Sequence, residues 1–374
     1  MERPRIHLVA PAGSCQPFVR ALGLKSAGAL IPYVQAIVGE RFVVTGDEAL
    51  LGAEEDELCG GRSDDAARAR NIETALGDSR IAAMVGVRGG AWFTRILSRI
   101  DFGVLERRRG RIAVFGFSEL SSLVNIVGVH SAGFGVHDMG PAFLVYGLRR
   151  HAQLARGGES AGEADEAWMG EHLAGEVHGY FRDVVQMLDG QPSARVIHAR
   201  LMQGELDPSR PIHFVGGNLT VFTKLIGTRF QRCIDPEGRW LVLEDLNEKP
   251  ERIDRMLAQL SLAGFWERCE GVLLGDFHRR EADLSAAVSA LLPYHLPTDR
   301  TVPVLRTRNV GHVWPMSPLP LHHPVMLTPD EKAEGTWVLA PAPVSITGEC
   351  SASRFVRPGR PGRSARHAAG TRPR

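Results

Sequence analysis

The fold is decided by the stretch Arg111-Ile112-Ala113-Val114-Phe115-Gly116-Phe117-Ser118-Glu119-Leu120. An apolar run enters a Gly-x-Ser triplet and continues into a helical segment, which is the sequence form of a nucleophile elbow. There a serine follows a parallel strand, and the N–H groups of the next helical turn face developing negative charge. An ordinary helix N-cap serine has the same spacing, and Leu120 replaces the second glycine of G-x-S-x-G. The stretch predicts a parallel sheet and makes Ser118 a candidate nucleophile.

Other apolar runs extend this pattern in both directions. In the first half they cover 6–10, 41–44 and 81–87, with helical stretches between them, and in the second half 240–243, 271–274 and 302–305. Continuous apolar runs separated by helices are typical of a parallel sheet that is covered on both faces.

Two longer helices are predicted from apolar residues that recur every three or four positions. They cover 165–188 and 250–263. The pattern as a whole predicts four segments: an α/β domain over 1–190, a linker over 191–211, a second domain over 212–345 and a basic tail over 346–374.

The composition is that of a globular protein with room for two domains. The net charge of +1 over 374 residues gives no reason to expect a nucleic acid polymer as ligand. No apolar stretch is long enough to cross a membrane, and the N-terminus lacks the apolar core of a signal peptide, so we expect a cytoplasmic protein. Five scattered cysteines without a CxxC spacing predict neither disulfides nor zinc. The arginine-rich tail is expected to be disordered, with contact to nucleic acid or anionic lipid as the alternative.

A glycine pair follows the third predicted strand, in Val87-Arg88-Gly89-Gly90-Ala91-Trp92. Two glycines there let the backbone approach a ligand closely, and their N–H groups can form half of an oxyanion hole. A plain tight turn is the alternative. A phosphate-binding loop is disfavoured, because neither G-x-G-x-x-G nor the P-loop Gly-Lys-Ser/Thr is present.

Two further segments carry candidate catalytic side chains, Leu243-Glu244-Asp245 and Asn309-Val310-Gly311-His312. Carboxylates at the end of an apolar strand often mark the edge of a site, although a solvated loop has the same appearance. A histidine beside glycine in a loop can serve as a general base. The neighbours His322 and His323 point apart in an extended chain, and no HExxH spacing occurs, so no metal site is predicted.

Taken together, these segments resemble the LD-carboxypeptidase family, serine peptidases that include the microcin C immunity peptidases. The resemblance is an ordered series of motifs from about Ile6 to Leu339. Its members are Ala10-Pro11-Ala12-Gly13-Ser14, Arg88-Gly89-Gly90, Gly116-Phe117-Ser118, Gly140-Pro141, Gly216-Gly217-Asn218-Leu219, Leu243-Glu244-Asp245, Arg252-Ile253-Asp254-Arg255-Met256-Leu257, Gly271-Val272-Leu273-Leu274-Gly275-Asp276-Phe277 and Gly311-His312.

The resemblance implies a doubly wound N-terminal α/β domain and a smaller β-rich C-terminal domain, with the active site in the cleft between them. It makes Ser118 the nucleophile, His312 the general base and Glu244 the residue that orients the imidazole. It also implies that no metal or organic cofactor is needed, and that a homodimer is a reasonable expectation.

For the remainder of the site the resemblance assigns backbone and substrate contacts. The N–H groups of Gly89 or Gly90 and of Glu119 would stabilise the oxyanion, and Arg88 and Trp92 would contact substrate.

Three departures from the family pattern bear on the substrate. Glu119 stands where the family has aspartate, Ala91-Trp92-Phe93 replaces Gly-Tyr-Gly, and Met139 replaces the histidine before Gly140-Pro141. The aromatic pair is expected to crowd the cleft.

The leading hypothesis is hydrolysis of the L,D amide bond that releases D-alanine from the murein tetrapeptide, in peptidoglycan recycling. One alternative is cleavage of a peptidyl- or aminoacyl-nucleotide amide, with Trp92 and Phe93 stacked on a base. A second is a binding protein that kept the cleft and lost turnover. A third is a nucleotide-binding regulator, whose binding would survive mutation of Ser118.

Overall fold

The computed structural model describes residues 2–56, 60–155, 163–280 and 282–346. The basic tail beyond residue 346 lies outside the described residues, as do Cys59 and Cys350. The other three cysteines, Cys15, Cys233 and Cys269, are buried free thiols. No helix in the described ranges is both long enough and apolar enough to pass through a bilayer.

The first domain is an α/β domain around a parallel sheet. Its five parallel strands are β1 (Arg5–Val9), β2 (Val43–Gly46), β3 (Ile81–Gly86), β4 (Ile112–Gly116) and β5 (Gly133–His137). They lie in the order β5-β4-β3-β1-β2, which is doubly wound topology. Helices cover the sheet, so every residue of β3 and β4 is buried and both strands are apolar throughout.

Eight α-helices accompany this sheet in the described residues: α1 (Gln16–Ala21), α2 (Leu30–Val38), α3 (Glu48–Gly52), α4 (Asp65–Gly77), α5 (Val104–Arg107), α6 (Ser121–Gly128), α7 (Phe143–Ala155) and α8 (Glu163–Leu188). The long helix predicted over 165–188 is confirmed as α8. Its predicted apolar face is buried at Met169, Leu173, Val177, Phe181, Val184 and Leu188.

The second domain is a closed β-barrel with helices on its outside. Its strands are β6 (Ile197–Gln203), β7 (Ile212–Asn218), β8 (Trp240–Leu246), β9 (Gly271–Arg279), β10 (Ala282–Asp283), β11 (Val304–Thr307), β13 (Pro324–Pro329) and β14 (Thr336–Pro341). They follow the order β10-β9-β11-β6-β14-β13-β7-β8, and the β8–β9 pairing closes a ring of seven. The helices are α9 (Leu219–Thr223), α10 (Pro250–Leu262), α11 (Phe265–Arg268) and α12 (Ser285–Leu291).

Two strands cross the domain limits predicted from sequence. The segment predicted as a linker over 191–211 contains β6, a barrel strand whose alternating burial leaves polar side chains outside and hides it from a search for apolar runs. Strand β12 (Leu319–Leu321), within the predicted second domain, pairs antiparallel with β5 at the edge of the first sheet. The two domains are therefore joined by this strand pairing as well as by the cleft between them.

Polar contacts also join the domains beside the end of β4. The Asn125 side chain on α6 donates to the Gly216 carbonyl at 2.7 Å and accepts from the Gly216 N–H at 3.1 Å. The Ser121 hydroxyl, on the same helix, accepts from the Asn218 N–H at 3.2 Å. Asn218 is paired with Glu244 across β7 and β8. These contacts connect the helix after Ser118 to the barrel strand that carries Glu244.

Candidate active site

Ser118 occupies the sharp turn between β4 and α6 that the sequence predicts. Its φ is +57°, in the left-handed region that a residue with a Cβ rarely adopts. A single 3-10 turn, Ser118–Leu120, leads from it directly into α6. The strain of such a conformation persists only where the surrounding structure enforces it, and such sites are often functional.

The glycine pair after β3 lies against this turn. A Cβ added at Gly89 would meet the Ser118 Cβ at 2.7 Å and the Ser118 Oγ at 3.2 Å. Gly90 has a φ of +115°, and a Cβ there would lie 3.1 Å from Gly13. The loop approaches the serine as closely as a backbone without side chains allows, so glycine is required at position 89.

The barrel contributes a buried Glu–His pair. Glu244 lies near the end of β8, and His312 lies in the loop after β11. The His312 Nδ1 is 2.8 Å from the Glu244 Oε2, and the two side chains are 4% and 0% exposed. Glycines at 275 and 311 make room for the carboxylate, because a Cβ at either would lie 3.1 or 3.0 Å from the Glu244 Cβ.

The pair is electrostatically coupled. Burial favours a higher pKa for Glu244, but the charge and hydrogen bond of His312 outweigh it and hold this pKa below its usual value. Burial favours a lower pKa for His312, but the charge and hydrogen bond of Glu244 outweigh it and raise this pKa above 6.5. Burial, and then the Glu244 charge, raise the pKa of the neighbouring Asp245 to about 6.

Ser118 and His312 open into one interdomain cleft. The His312 ring packs against Phe117 at 4.8 Å and against Phe143 at 5.7 Å between ring centroids. Within the described residues no hydrogen bond joins the Ser118 hydroxyl to His312, and such bonds often tighten only when substrate binds. The other residues of this cleft are Pro17, Phe18, Arg88, Gly89, Gly90, Ala142, Val145, Tyr146, Arg149 and Leu246.

Arg88 and Glu119 have clear positions around this cleft. The Arg88 guanidinium lies at its wall, where it donates to the Ser14 carbonyl and is 3.5 Å from Glu55. The Glu119 carboxylate points away from the cleft and accepts from the Thr94 N–H at 2.8 Å and the Thr94 hydroxyl at 2.5 Å. Glu119 thereby connects the turn at Ser118 to the segment that follows the glycine loop.

The expectation that Trp92 and Phe93 crowd the cleft is corrected by the structure, because neither residue lines it. The Trp92 indole lies against Gly61, and the Arg95 guanidinium covers it at 5.3 Å from the ring centroid. Phe93 is fully buried in the hydrophobic core, as is Met139. These departures from the family pattern change packing rather than the cleft wall.

The sequence interpretation missed the contribution of α7. Phe143, Tyr146 and Arg149 lie three residues apart and line the cleft from one face of this helix. Their spacing is a signal that was available in the sequence, but the facing element could not be known. Among the described residues, no group of three or more His, Cys, Asp or Glu side chains is arranged to hold a metal ion.

Comparison with known protein families identifies both domains of this chain. Residues 6–137 match the model of the LD-carboxypeptidase N-terminal domain, and residues 213–327 match that of the C-terminal domain. These two spans make up more than half of the chain. The chain belongs to the LD-carboxypeptidase family.

Individual relatives match this chain only in part or at low sequence identity. A probable murein peptide carboxypeptidase of Bacillus subtilis is 37% identical over 32% of this chain and 37% of its own length. The murein tetrapeptide carboxypeptidase of Pseudomonas aeruginosa is 28% identical over 62% of this chain and 71% of its own. The chain thus spans well under half the length of the first of these relatives.

Solved structures show the same fold at low identity. An MccF-like protein of Bacillus anthracis has a TM-score of 0.62 at 14% identity, covering 91% of this chain and 97% of its own. The muramoyltetrapeptide carboxypeptidase of Oxalobacter formigenes has a TM-score of 0.57 at 20% identity, covering 91% and 99%.

Proposed function

We propose that this protein is a serine hydrolase of the LD-carboxypeptidase type, which cleaves an amide bond near a free carboxyl terminus. Ser118 is the nucleophile, His312 the general base and Glu244 the group that orients the imidazole. The observation that carries the proposal is the hydrogen-bonded Glu244–His312 pair opening into the cleft of a serine with a φ of +57°.

The chemistry follows from these residue types. A serine hydroxyl is a weak nucleophile, so His312 takes its proton during attack and gives it to the leaving amine. Glu244 holds Nδ1 as the protonated ring nitrogen, which leaves Nε2 as the base, and it stabilises the imidazolium that forms. Water then hydrolyses the acyl-enzyme on Ser118. In this step His312 takes a proton from the attacking water and returns it to the Ser118 oxygen as the acyl group leaves.

The oxyanion of the tetrahedral intermediate needs donors close to Ser118. The glycine loop is in contact with the Ser118 side chain, and the turn that follows the serine offers the N–H of Glu119. Each lost donor of this kind costs about 3–4 kcal/mol in the activation barrier. The Glu119–Thr94 hydrogen bonds supply the rigidity that such a pair of loops requires.

Recognition of a free carboxylate needs a cation beside the nucleophile. Arg88 and Arg149 line the same cleft as Ser118, and the rest of its wall is largely apolar. Arginine binds carboxylates through paired N–H groups, and an apolar surround strengthens that interaction. The cleft therefore favours a substrate with an anionic terminus, such as the tetrapeptide that releases D-alanine.

Cleavage of an aminoacyl-nucleotide amide is the second candidate. A base in the cleft would need an aromatic partner, and Phe143 and Tyr146 supply one in place of Trp92 and Phe93. Peptidoglycan recycling in the cytoplasm and a homodimeric state both stay predictions that accompany the first candidate.

Activity is tested by D-alanine release from murein tetrapeptide, together with labelling by an alkyl fluorophosphonate. The native protein is expected to do both, and Ser118→Ala to do neither. Ser122→Ala is the matched control, because that hydroxyl donates to the Glu119 carbonyl and lies outside the cleft lining. Equal D-alanine release by the native protein and Ser118→Ala would rule out the proposal for this substrate.

Carboxylate recognition is tested with the same tetrapeptide as the free acid and as the C-terminal amide. Arg88→Gln is expected to raise KM for the free acid about tenfold, while kcat changes little. The C-terminal amide should be an equally poor substrate for the native protein and for Arg88→Gln. Turnover of an aminoacyl sulfamoyl nucleoside, with no turnover of the tetrapeptide, would favour the second candidate.

A further inference from the structure

A second histidine stands on the other side of Glu244 from His312. His137 is the last residue of β5 in the first domain, and its side chain is 0% exposed. Its Nε2 lies 3.9 Å from the Glu244 Oε1, the carboxylate oxygen that faces away from His312. The Glu244 carboxylate thus lies between two imidazoles, that of His137 from the α/β domain and that of His312 from the barrel domain.

Both of these facing atoms lack a hydrogen-bond partner. Among the described residues, the Glu244 Oε1 is buried without one, and so are both ring nitrogens of His137. Buried polar groups in folded proteins are nearly always paired, and an unpaired oxygen of a buried carboxylate is especially unfavourable. Two unsatisfied groups that point toward one another in a closed space are natural partners.

We propose that His137 is a positioning residue, which donates its Nε2–H to the Glu244 Oε1 and holds the carboxylate in the orientation that His312 requires. This inference rests on the proposed function. A direct hydrogen bond needs a shift of about 1 Å, from 3.9 Å to the usual 2.9 Å. The gap is too short for a bridging water, since two water hydrogen bonds span roughly 4.5 Å.

The charge state of His137 suits the role of a neutral donor. Burial lowers the pKa of His137 to about 4. The negative charge of Glu244 acts in the opposite direction, and a smaller effect of His312 adds to that of burial. A neutral imidazole carries one N–H, and donation to Oε1 would place it on Nε2. The positive charge of the site would then stay on His312, where the proton transfer takes place.

The surroundings of His137 are shaped to admit it. A Cβ added at Gly217 would lie 3.1 Å from the His137 Cε1 and 2.8 Å from the Ser121 Oγ. Gly217 is paired with Leu243, the residue before Glu244, and its neighbour Gly216 is held by Asn125. The imidazole is therefore confined at the junction of the two domains, where it faces the Glu244 carboxylate.

The first test compares His137→Leu, which removes the donor and keeps similar bulk, with His137→Gln, which keeps an N–H donor. The readout is the rate at which an alkyl fluorophosphonate labels Ser118 of the full chain. His137→Leu is expected to react about tenfold more slowly or worse, and His137→Gln within about threefold of native. A native rate for His137→Leu would overturn the proposal. Absence of labelling in the native protein would instead refute the proposed function.

A double-mutant cycle separates positioning from packing. In a Glu244→Gln background, His137→Leu should cause no further loss of labelling rate, because its effect passes through the carboxylate. Full additivity of the two losses would overturn the proposal.

Nitrogen-15 NMR of the native protein provides a measurement that does not depend on a leucine variant folding. His137, assigned by its loss in His137→Gln, should show a protonated Nε2 and a bare Nδ1. The opposite tautomer would contradict the proposal.

Discussion

The two halves of the site are held in place by different means. On the α/β domain, Ser118 and Gly89 are positioned by backbone conformation, a φ of +57° in one case and the lack of a Cβ in the other. On the barrel, Glu244 and His312 are positioned by a 2.8 Å hydrogen bond between buried side chains. Substitutions that change side-chain volume should therefore damage the first half of the site, and substitutions that change charge should damage the second.

The largest effect is expected from Ser118→Gly. Loss of the proposed nucleophile should reduce D-alanine release by about 10⁴-fold or more. Glycine accepts a positive φ, so relief of strain of about 1 kcal/mol should raise the melting temperature by a few degrees. Thermal unfolding and the activity assay check the two parts separately. A clearly lower melting temperature would mean that the strain at this turn is smaller than the conformational entropy that glycine adds to the unfolded chain.

Glu244→Gln should come next, with a loss in kcat of up to about 10⁴-fold. His312 must be neutral to accept the serine proton, so native activity should fall as the pH drops through its raised pKa. The amide removes the negative charge that raises this pKa, so the acid limb of the kcat/KM profile should move to lower pH. An unchanged acid limb would show that another group titrates there.

Gly89→Ala should reduce activity about 100-fold, since the new methyl group would lie 2.7 Å from the Ser118 Cβ and displace a proposed oxyanion donor. The matched control is Gly170→Ala on α8, where an added Cβ meets nothing within 4 Å. Steady-state kinetics on both variants measure the difference. Equal activity of the two would argue against a close contact between the glycine loop and Ser118.

Asn125→Ala tests the connection between the two halves and should have the smallest effect on rate. It removes two hydrogen bonds to Gly216, at 2.7 and 3.1 Å, and leaves that backbone buried and unpaired. A loss of about 2 kcal/mol in unfolding free energy is expected, with activity reduced only several-fold. Urea denaturation and kinetics measure the two quantities. Loss of activity without loss of stability would assign Asn125 a more direct role.

The sequence anticipated much of the fold because its signals are local. Apolar runs predicted β1, β3 and β4, and a three-to-four-residue periodicity predicted α8 and the buried stripe of α10 at Ile253, Met256, Leu257 and Leu260. Strand β6 was placed in a linker because its alternating polar residues resemble a loop. Trp92 was placed in the cleft because a motif orders residues along the chain but does not say which way a side chain points.

By itself the sequence determined which residue types were available, in which order and on which strand ends, since these depend on neighbours a few positions apart. Only the tertiary structure decided that Phe143 and Arg149 share a cleft with Ser118, and that His137 faces Glu244 from 107 positions earlier in the chain. Contacts of this separation depend on how the sheet and the barrel pack, which no local pattern encodes.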